Sequence, residues 1–228
     1  MNGRITGISS MATRAVLADL VVARPQQGVE VAIESVGGVD AARRVQAGEA
    51  FDLVVLARDA IDRLVASGHV VPGSRVDLVH SGVAVAVRSG APQPDIDTED
   101  AVRRAVLAAR SIGHSTGPSG VQLLQLFQRW GIVEALKDRI FQAPPGVAVA
   151  TLVARGEVEL GFQQLSELMH ADGISVIGPL PPAIQINTTF SAGRCTGSTQ
   201  AAAVHDLLAY LASPAATPAK RRHGMVPA

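Results

Sequence analysis

The stretch that decides the fold runs from Phe51 to Ala57 and reads Phe-Asp-Leu-Val-Val-Leu-Ala. Its continuous run of apolar residues is typical of a parallel strand that is buried on both faces of a sheet. A helical pattern follows at once and continues to Ser67, with Asp59 at the position expected for its N-cap. A buried strand followed by an amphipathic helix is the βα unit of an α/β protein.

Two similar units precede this stretch. Strands are predicted at Arg4–Ser9 and Val29–Ser35, and helices at Ala12–Ala23 and Val39–Ala47. Consecutive βα units predict parallel strand pairing with right-handed crossovers. The next strand, Val76–Arg88, is long enough to leave one lobe and enter another.

A second lobe is predicted from the residues that follow. A strand ending at His114 leads into the loop Ser-Thr-Gly-Pro-Ser-Gly at 115–120 and then into a helix, and Ile186–Ala192 is predicted to be a return strand. We therefore expect two α/β lobes, residues 1–80 with 190–228 and residues 81–189. Each lobe would be a mostly parallel sheet flanked by helices, and two strands would join them as a hinge.

Composition limits the classes of function. Lys plus Arg and Asp plus Glu both number 20, so the net charge is zero and no basic field is available for nucleic acid. No apolar run approaches the roughly 18 residues that a membrane span needs, so no membrane insertion is expected. Residues Met1 to Ile8 do not resemble a signal peptide, which predicts a cytoplasmic protein as written, or a periplasmic one if a signal peptide has been removed.

The motifs of several enzyme classes are missing from the sequence. There is no glycine-rich dinucleotide or phosphate loop, no Gly-x-Ser-x-Gly and no His-Glu-x-x-His. The histidines are scattered without the spacing of metal ligands, and the single cysteine, Cys195, has no partner for a disulfide. The sequence thus predicts neither a cofactor nor a metal site.

Small hydroxyl and glycine residues recur where predicted strands end and helices begin. Helix N-termini expose unpaired N–H groups, and serine and threonine hydroxyls add donors, so such loops can hold an anion without lysine. Each loop can also be an ordinary cap or turn. The candidate residues are Ser9 and Ser10, then Ser35, Gly37 and Gly38, and then Ser115, Thr116 and Ser119. Guanidinium groups bind carboxylates in a bidentate manner, and three arginines, Arg14, Arg43 and Arg58, are placed near the helices on the cleft side of the first lobe. Arg58 is the candidate among them, although each can also be a solvated helix residue.

Several stretches, in their order along the chain, resemble the molybdate-binding-like branch of the extracellular solute-binding proteins. They include Gly-Pro-Ser-Gly at 117–120 and Gly-Glu-Val-Glu-Leu-Gly-Phe-Gln-Gln at 156–164, and the others lie at 51–57, 64–77, 81–89, 178–181, 213–214 and 224–227. The resemblance implies a type II periplasmic-binding-protein fold whose lobes close by a hinge on a small oxyanion or organic acid. A transport permease is an implied partner only if the protein is exported.

The resemblance also implies which residues contact the ligand. The family's ligand loops fall on the serine and glycine candidates above and on Gln163 and Asn187. Molybdate binders place a ligating tyrosine in the second lobe, but the only tyrosine here, Tyr210, lies in the C-terminal helix pattern. Gln163 and Gln164 stand in its place, and because amides both donate and accept, a di- or tricarboxylate is expected rather than molybdate.

Whether the protein is an enzyme stays open on the sequence alone. One hypothesis is a solute-binding protein without covalent chemistry. The alternative is an isomerase on the same scaffold, because some members of this branch isomerise unsaturated polycarboxylates such as aconitate. His114 is then the candidate base, although a buried, hydrogen-bonded histidine fits the same position. An effector-sensing domain is a third hypothesis, but no DNA-binding helix-turn-helix precedes the fold.

Overall fold

The helices and strands alternate along most of the chain in a computed structural model that describes residues 3–24 and 29–228. The strands are β1 Arg4–Ser10, β2 Glu30–Val36, β3 Leu53–Ala57, β4 Val76–Arg88, β5 Ile112–His114, β6 Ile140–Gln142, β7 Leu160–Gln164, β8 Ile174–Pro179, β9 Asn187–Arg194 and β10 Met225–Pro227. The helices are α1 Arg14–Ala23, α2 Gly38–Gln46, α3 Arg58–Ala66, α4 Glu99–Ala108, α5 Pro118–Arg129, α6 Val133–Leu136, α7 Val149–Arg155, α8 Leu165–Leu168, α9 Ala201–Ala212 and α10 Thr217–Arg222. Short 3₁₀ helices occupy Met11–Thr13, Pro182–Ile184 and Pro214–Ala216.

The chain divides into two compact units. Unit 1 comprises the residues up to Ser81 together with Thr189–Ala228, and unit 2 comprises Gly82–Thr188. The chain passes between the units within β4 and again within β9. The fold is α/β, with mixed sheets flanked by helices.

The sheet of unit 1 contains β3, the strand formed by the apolar run at 53–57. Strand β1 pairs in parallel with β2 on one side and with β3 on the other, and β3 pairs antiparallel with β9. Leu53 and Val55 pack against α1 and α9, whereas Val54 and Leu56 pack against α2 and α3. These four side chains are at most 1% exposed, which confirms a strand buried on both faces.

The sheet of unit 2 combines parallel and antiparallel pairs. Strand β5 lies between β6 and β7 and is parallel to both, while β7 and β8 each pair antiparallel with β4. On one face, the ring of Phe162 on β7 meets the ring of Phe127 on α5 edge to face, with centroids 6.2 Å apart. Helices α7 and α8 contact β7 as well. Unit 2 taken alone therefore also consists of a sheet with helices packed against it.

The prediction that Asp59 is a helix N-cap is wrong. Ala57 occupies the cap position, and α3 begins at Arg58 without a side-chain cap. Because β3 turns into α3 with no intervening loop, Asp59 lies in the first turn of the helix, where its charge still interacts favourably with the helix dipole.

Within residues 3–24 and 29–228, no helix is both long enough and apolar enough to cross a lipid bilayer.

Candidate functional site

A pair of serine hydroxyls lies at the carboxyl ends of the two neighbouring strands β1 and β2 in unit 1. The parallel register sets Ser9 opposite Ser35, so both side chains leave the same face of the sheet. Their Oγ atoms are 2.7 Å apart, and Ser9 is fully buried. One hydroxyl donates to the other, and Ser9 Oγ can also donate to the Ser10 carbonyl oxygen, 3.4 Å away. When Ser9 donates to Ser35 instead, the Ser35 proton is left for another acceptor.

The N-terminus of α2 lies beside this pair. Gly37 is the N-cap and Gly38 the first helical residue, and a Cβ on Gly38 would lie 3.6 Å from Ser10 Oγ. The hydroxyl of Ser10 in turn accepts from the Ala12 N–H, 3.4 Å away, at the start of the 3₁₀ helix. The structure thus brings the predicted residues of β1, β2 and α2 together in unit 1.

Arg58 does not join that cluster. Its guanidinium forms an ion pair with Asp77 on β4, and β9 lies between β3 and β4 in the sheet, so the side chain extends away from β1 and β2. Burial tends to raise the pKa of Asp77, but the hydrogen bond from Ser191 (2.7 Å) and the guanidinium groups of Arg58 and Arg75 outweigh it and hold that pKa below its usual value. The role of Arg58 in ligand binding stays a prediction.

In unit 2, His114 ends β5 with its imidazole almost fully buried. Its Nδ1 lies 3.0 Å from the carbonyl oxygen of Ser115. A carbonyl only accepts, so Nδ1 carries the proton of the neutral ring and Nε2 keeps its lone pair. Burial lowers the pKa of His114 and outweighs the opposite effect of that hydrogen bond. The neutral form of the ring is therefore favoured more than in a free imidazole, and Nε2 is its acceptor atom.

A second hydroxyl pair lies beside His114, at the N-terminus of α5. Ser115 Oγ and Ser119 Oγ are 3.2 Å apart, and α5 begins with Pro118, which has no N–H to leave unpaired. Gly120 is required by the close approach of the loop, because a Cβ there would lie 2.0 Å from the carbonyl oxygen of Ser115. Thr116 is half-buried in the same loop.

The two adjacent glutamines at the end of β7 have different surroundings. Gln163 is buried, its Oε1 accepts from the Ala150 N–H at the start of α7 (3.1 Å), and its Nε2 donates to Glu167 (2.7 Å). Both ends of this amide are therefore engaged within the protein. Asn187 is exposed at the start of β9, close to Gly82 on β4. Ligand contacts by Gln163 and Asn187 stay predictions.

Gln164 faces the side of the sheet that carries His114. His114 is the register partner of Phe162, and Gln164 lies two residues further along β7, so all three side chains share one face. Gln164 is also buried; its Nε2 donates to Thr188 Oγ1 (2.9 Å), and its Oε1 has no hydrogen-bond partner among the residues that the structure describes. Successive side chains of a strand point to opposite faces of the sheet, so the sequence alone could have predicted that Gln163 and Gln164 have different surroundings.

Glu167 is a partly buried carboxyl group behind Gln163. Burial raises its pKa to about 7, against a partial lowering by the hydrogen bond from Gln163. In the unfolded chain the pKa is 4.5. The folded state therefore binds more protons than the unfolded state between these two values, and its stability falls as the pH rises through that range.

We expect Glu167→Gln to remove this pH dependence. In the wild-type protein the shift corresponds to a loss of about 3 kcal/mol in the free energy of unfolding between pH 4.5 and pH 7. Urea unfolding at pH 5, 6, 7 and 8 would measure it, with the exposed Glu134→Gln as the matched control. Equal slopes in the two variants would contradict the assignment to Glu167.

Comparisons with known proteins show what the chain as a whole is similar to. A family model described as bacterial extracellular solute-binding protein matches residues 5–226. An aconitate isomerase of a Pseudomonas species is 42% identical over 187 residues, which cover 81% of this chain and 70% of that protein. A molybdate-binding protein of Azotobacter vinelandii is 28% identical over 191 residues, covering 79% and 73%. A solved structure of the periplasmic molybdate-binding protein of Azotobacter vinelandii superposes with a TM-score of 0.80 at 20% identity, covers 97% of this chain and 98% of its own, and shows the same fold.

Proposed function

The chain belongs to the bacterial extracellular solute-binding proteins, and from that premise we propose that it binds a small di- or tricarboxylate. The observation that carries the proposal is the group at the carboxyl edge of the unit 2 sheet: the Ser115–Ser119 hydroxyl pair, the N-terminus of α5 and the buried amide of Gln164. Hydroxyls and helix N–H groups bind carboxylate oxygens without a nearby lysine or arginine. The Ser9–Ser35 pair with the N-terminus of α2 is a second element of the same kind, in unit 1.

Two observations favour an organic acid over molybdate. The relative named aconitate isomerase is 42% identical to this chain, whereas the relative named molybdate-binding protein is 28% identical. The buried side chain of Gln164 at the end of β7 offers an amide oxygen with no partner among the described residues. An O–H group of an organic acid can donate to this oxygen, whereas the oxygens of molybdate only accept. Both observations support the proposal, and neither identifies a single acid.

The binding proposal predicts that polycarboxylates stabilise the folded protein. At a free ligand concentration a hundredfold above Kd, a ligand that binds only the folded state adds about 2.7 kcal/mol to the free energy of unfolding. Thermal unfolding with citrate, cis-aconitate, trans-aconitate, malate, molybdate and tungstate would measure it. Ser9→Ala and Ser115→Ala should each reduce the carboxylate shift, while the exposed Ser89→Ala should not. A shift with molybdate or tungstate but with no carboxylate would contradict the proposal.

The second candidate function is isomerisation of the bound acid. Aconitate can exchange its isomers when a base removes a proton from the CH₂ carbon next to the double bond and the same proton, or one from solvent, returns to the other end of the allylic system. His114 has a pKa lowered by burial and holds its ring proton on Nδ1, so Nε2 is the atom that it offers to such a reaction as a base. The hydrogen bond from Nδ1 to Ser115 and the 42% identical relative support isomerisation as a second candidate beside binding alone.

A further inference from the structure

The carbonyl oxygen of Gln164 is an acceptor without a donor in the part of the chain that the structure describes. A polar atom that loses its hydrogen bond to water on folding and gains no other lowers the stability of the folded state, so buried polar atoms are normally paired. Thr188 holds the opposite end of the amide through Nε2, which directs Oε1 away from Thr188. No donor among the described residues reaches this atom, so water and a ligand are the candidates for its partner.

The position of this oxygen favours a ligand as that partner. Gln164 ends β7 on the same sheet face as His114, and β5, the strand that His114 ends, is the direct neighbour of β7. The Ser115–Ser119 hydroxyl pair follows His114 in the chain. The unpaired acceptor thus lies at the edge that the proposed function assigns to the carboxylate, where the surrounding hydroxyls supply donors to an anion.

We propose that Gln164 Oε1 accepts a hydrogen bond from an O–H group of the ligand and thereby selects acids that carry a hydroxyl or an un-ionised carboxyl group. The proposal rests on the proposed function, since it concerns the same site. A fully ionised oxygen offers only lone pairs, which repel a buried carbonyl oxygen, whereas an O–H group satisfies it. Sites that hydrogen-bond a ligand hydroxyl discriminate strongly against analogues that lack it.

Two consequences distinguish the possible sources of the O–H group. A hydroxy acid such as malate would bind without taking up a proton. An acid without a hydroxyl, such as succinate or aconitate, would have to bind with one carboxyl group protonated. Its affinity would then rise as the pH falls, by up to about tenfold per pH unit.

The test is calorimetric titration of the full chain with malate and with succinate at pH 6 and pH 8. We expect malate to bind about tenfold or more tightly than succinate at pH 8, and only the succinate affinity to rise at pH 6. In Gln164→Leu the malate-to-succinate ratio should fall to about one, because Leu offers no acceptor. The exposed Gln125→Leu on α5 is the matched control and should keep the wild-type ratio.

Other results would overturn the inference. Equal binding of malate and succinate by the wild-type protein at pH 8, or a ratio that persists in Gln164→Leu, would show that Oε1 does not accept from the ligand. If no carboxylate binds, the proposed function fails. Binding of hydrogen phosphate and of sulfate to the wild-type protein then tests the acceptor role of Gln164 separately, without a carboxylate and without a variant. These two anions have the same shape, but only hydrogen phosphate carries a proton at pH 8. Preference for phosphate would support the acceptor role, whereas preference for sulfate, or binding of neither anion, would overturn it.

Discussion

Replacing His114 by alanine is expected to lower the rate of aconitate isomerisation by about 10²- to 10⁴-fold, the contribution typical of a positioned general base. The imidazole is buried at the end of β5, and the Ser115 carbonyl fixes the proton on Nδ1. Removing the ring removes the only group in this loop that can both take up and return a proton near neutral pH. The measurement is proton NMR of cis- and trans-aconitate in deuterated water, in which proton transfer by way of solvent labels the product with deuterium.

The exposed His205→Ala on α9 is the matched control and should turn over at the wild-type rate. Thermal unfolding of both variants would establish that the fold is intact. Turnover that survives His114→Ala would keep the isomerase function but assign the base to another residue. If the wild-type protein leaves aconitate and several other unsaturated acids unchanged, the isomerase candidate fails, the binding proposal remains, and His114 is a buried, hydrogen-bonded histidine beside the 115–120 loop.

Gly120→Ala is expected to disrupt the ligand loop of unit 2. The added Cβ would lie 2.0 Å from the Ser115 carbonyl oxygen and 2.8 Å from His114 Nδ1. Because the closest atom belongs to the backbone, the loop or the first turn of α5 must move. We expect a loss of about 1–3 kcal/mol in the free energy of unfolding, and the stabilisation by carboxylates should shrink as the hydroxyl pair separates.

Gly117→Ala in the same loop is a close control for this prediction. A Cβ at Gly117 would meet Ser115 Oγ at 3.9 Å, an ordinary contact, and the backbone there is extended. Urea unfolding with and without citrate compares the two variants. Equal stability of Gly120→Ala and Gly117→Ala would show that the loop adapts without cost, which would contradict the close-approach argument.

The order of strands and the loops that follow them could be predicted from the sequence, because both depend on local patterns. The apolar run at 51–57 required burial on both faces, and the serines at positions 9 and 35 are drawn together simply because parallel strands end at one edge. Pairings between strands that are distant in the sequence were harder to predict. The pairing of β8 with β4 across a bulge between Val85 and Ala86 follows from tertiary packing, for which the local sequence has no signal.

The side-chain partners within the candidate site were the least predictable part. Gln163 was assigned to the ligand by resemblance, but in the fold its amide caps α7 and binds Glu167. Arg58 was chosen for its place near the helices on the cleft side of the first lobe, and its guanidinium pairs with Asp77, 19 residues later in the chain. In each case the deciding partner is brought close only by the folded sheet, so neither spacing nor composition could have revealed it.

The contrast between Gln163 and Gln164 has a consequence for how this scaffold can evolve. Neighbouring codons specify an amide that anchors a helix and an amide that faces the ligand edge, and the strand directs them to opposite sides of the sheet. By the role proposed for Gln164, a substitution at position 164 would change which acid is preferred and leave the start of α7 untouched. The same substitution one position earlier would uncap that helix and leave Glu167 without its donor. The proposed ligand preference and the start of α7 thus depend on adjacent residues that can be substituted independently of each other.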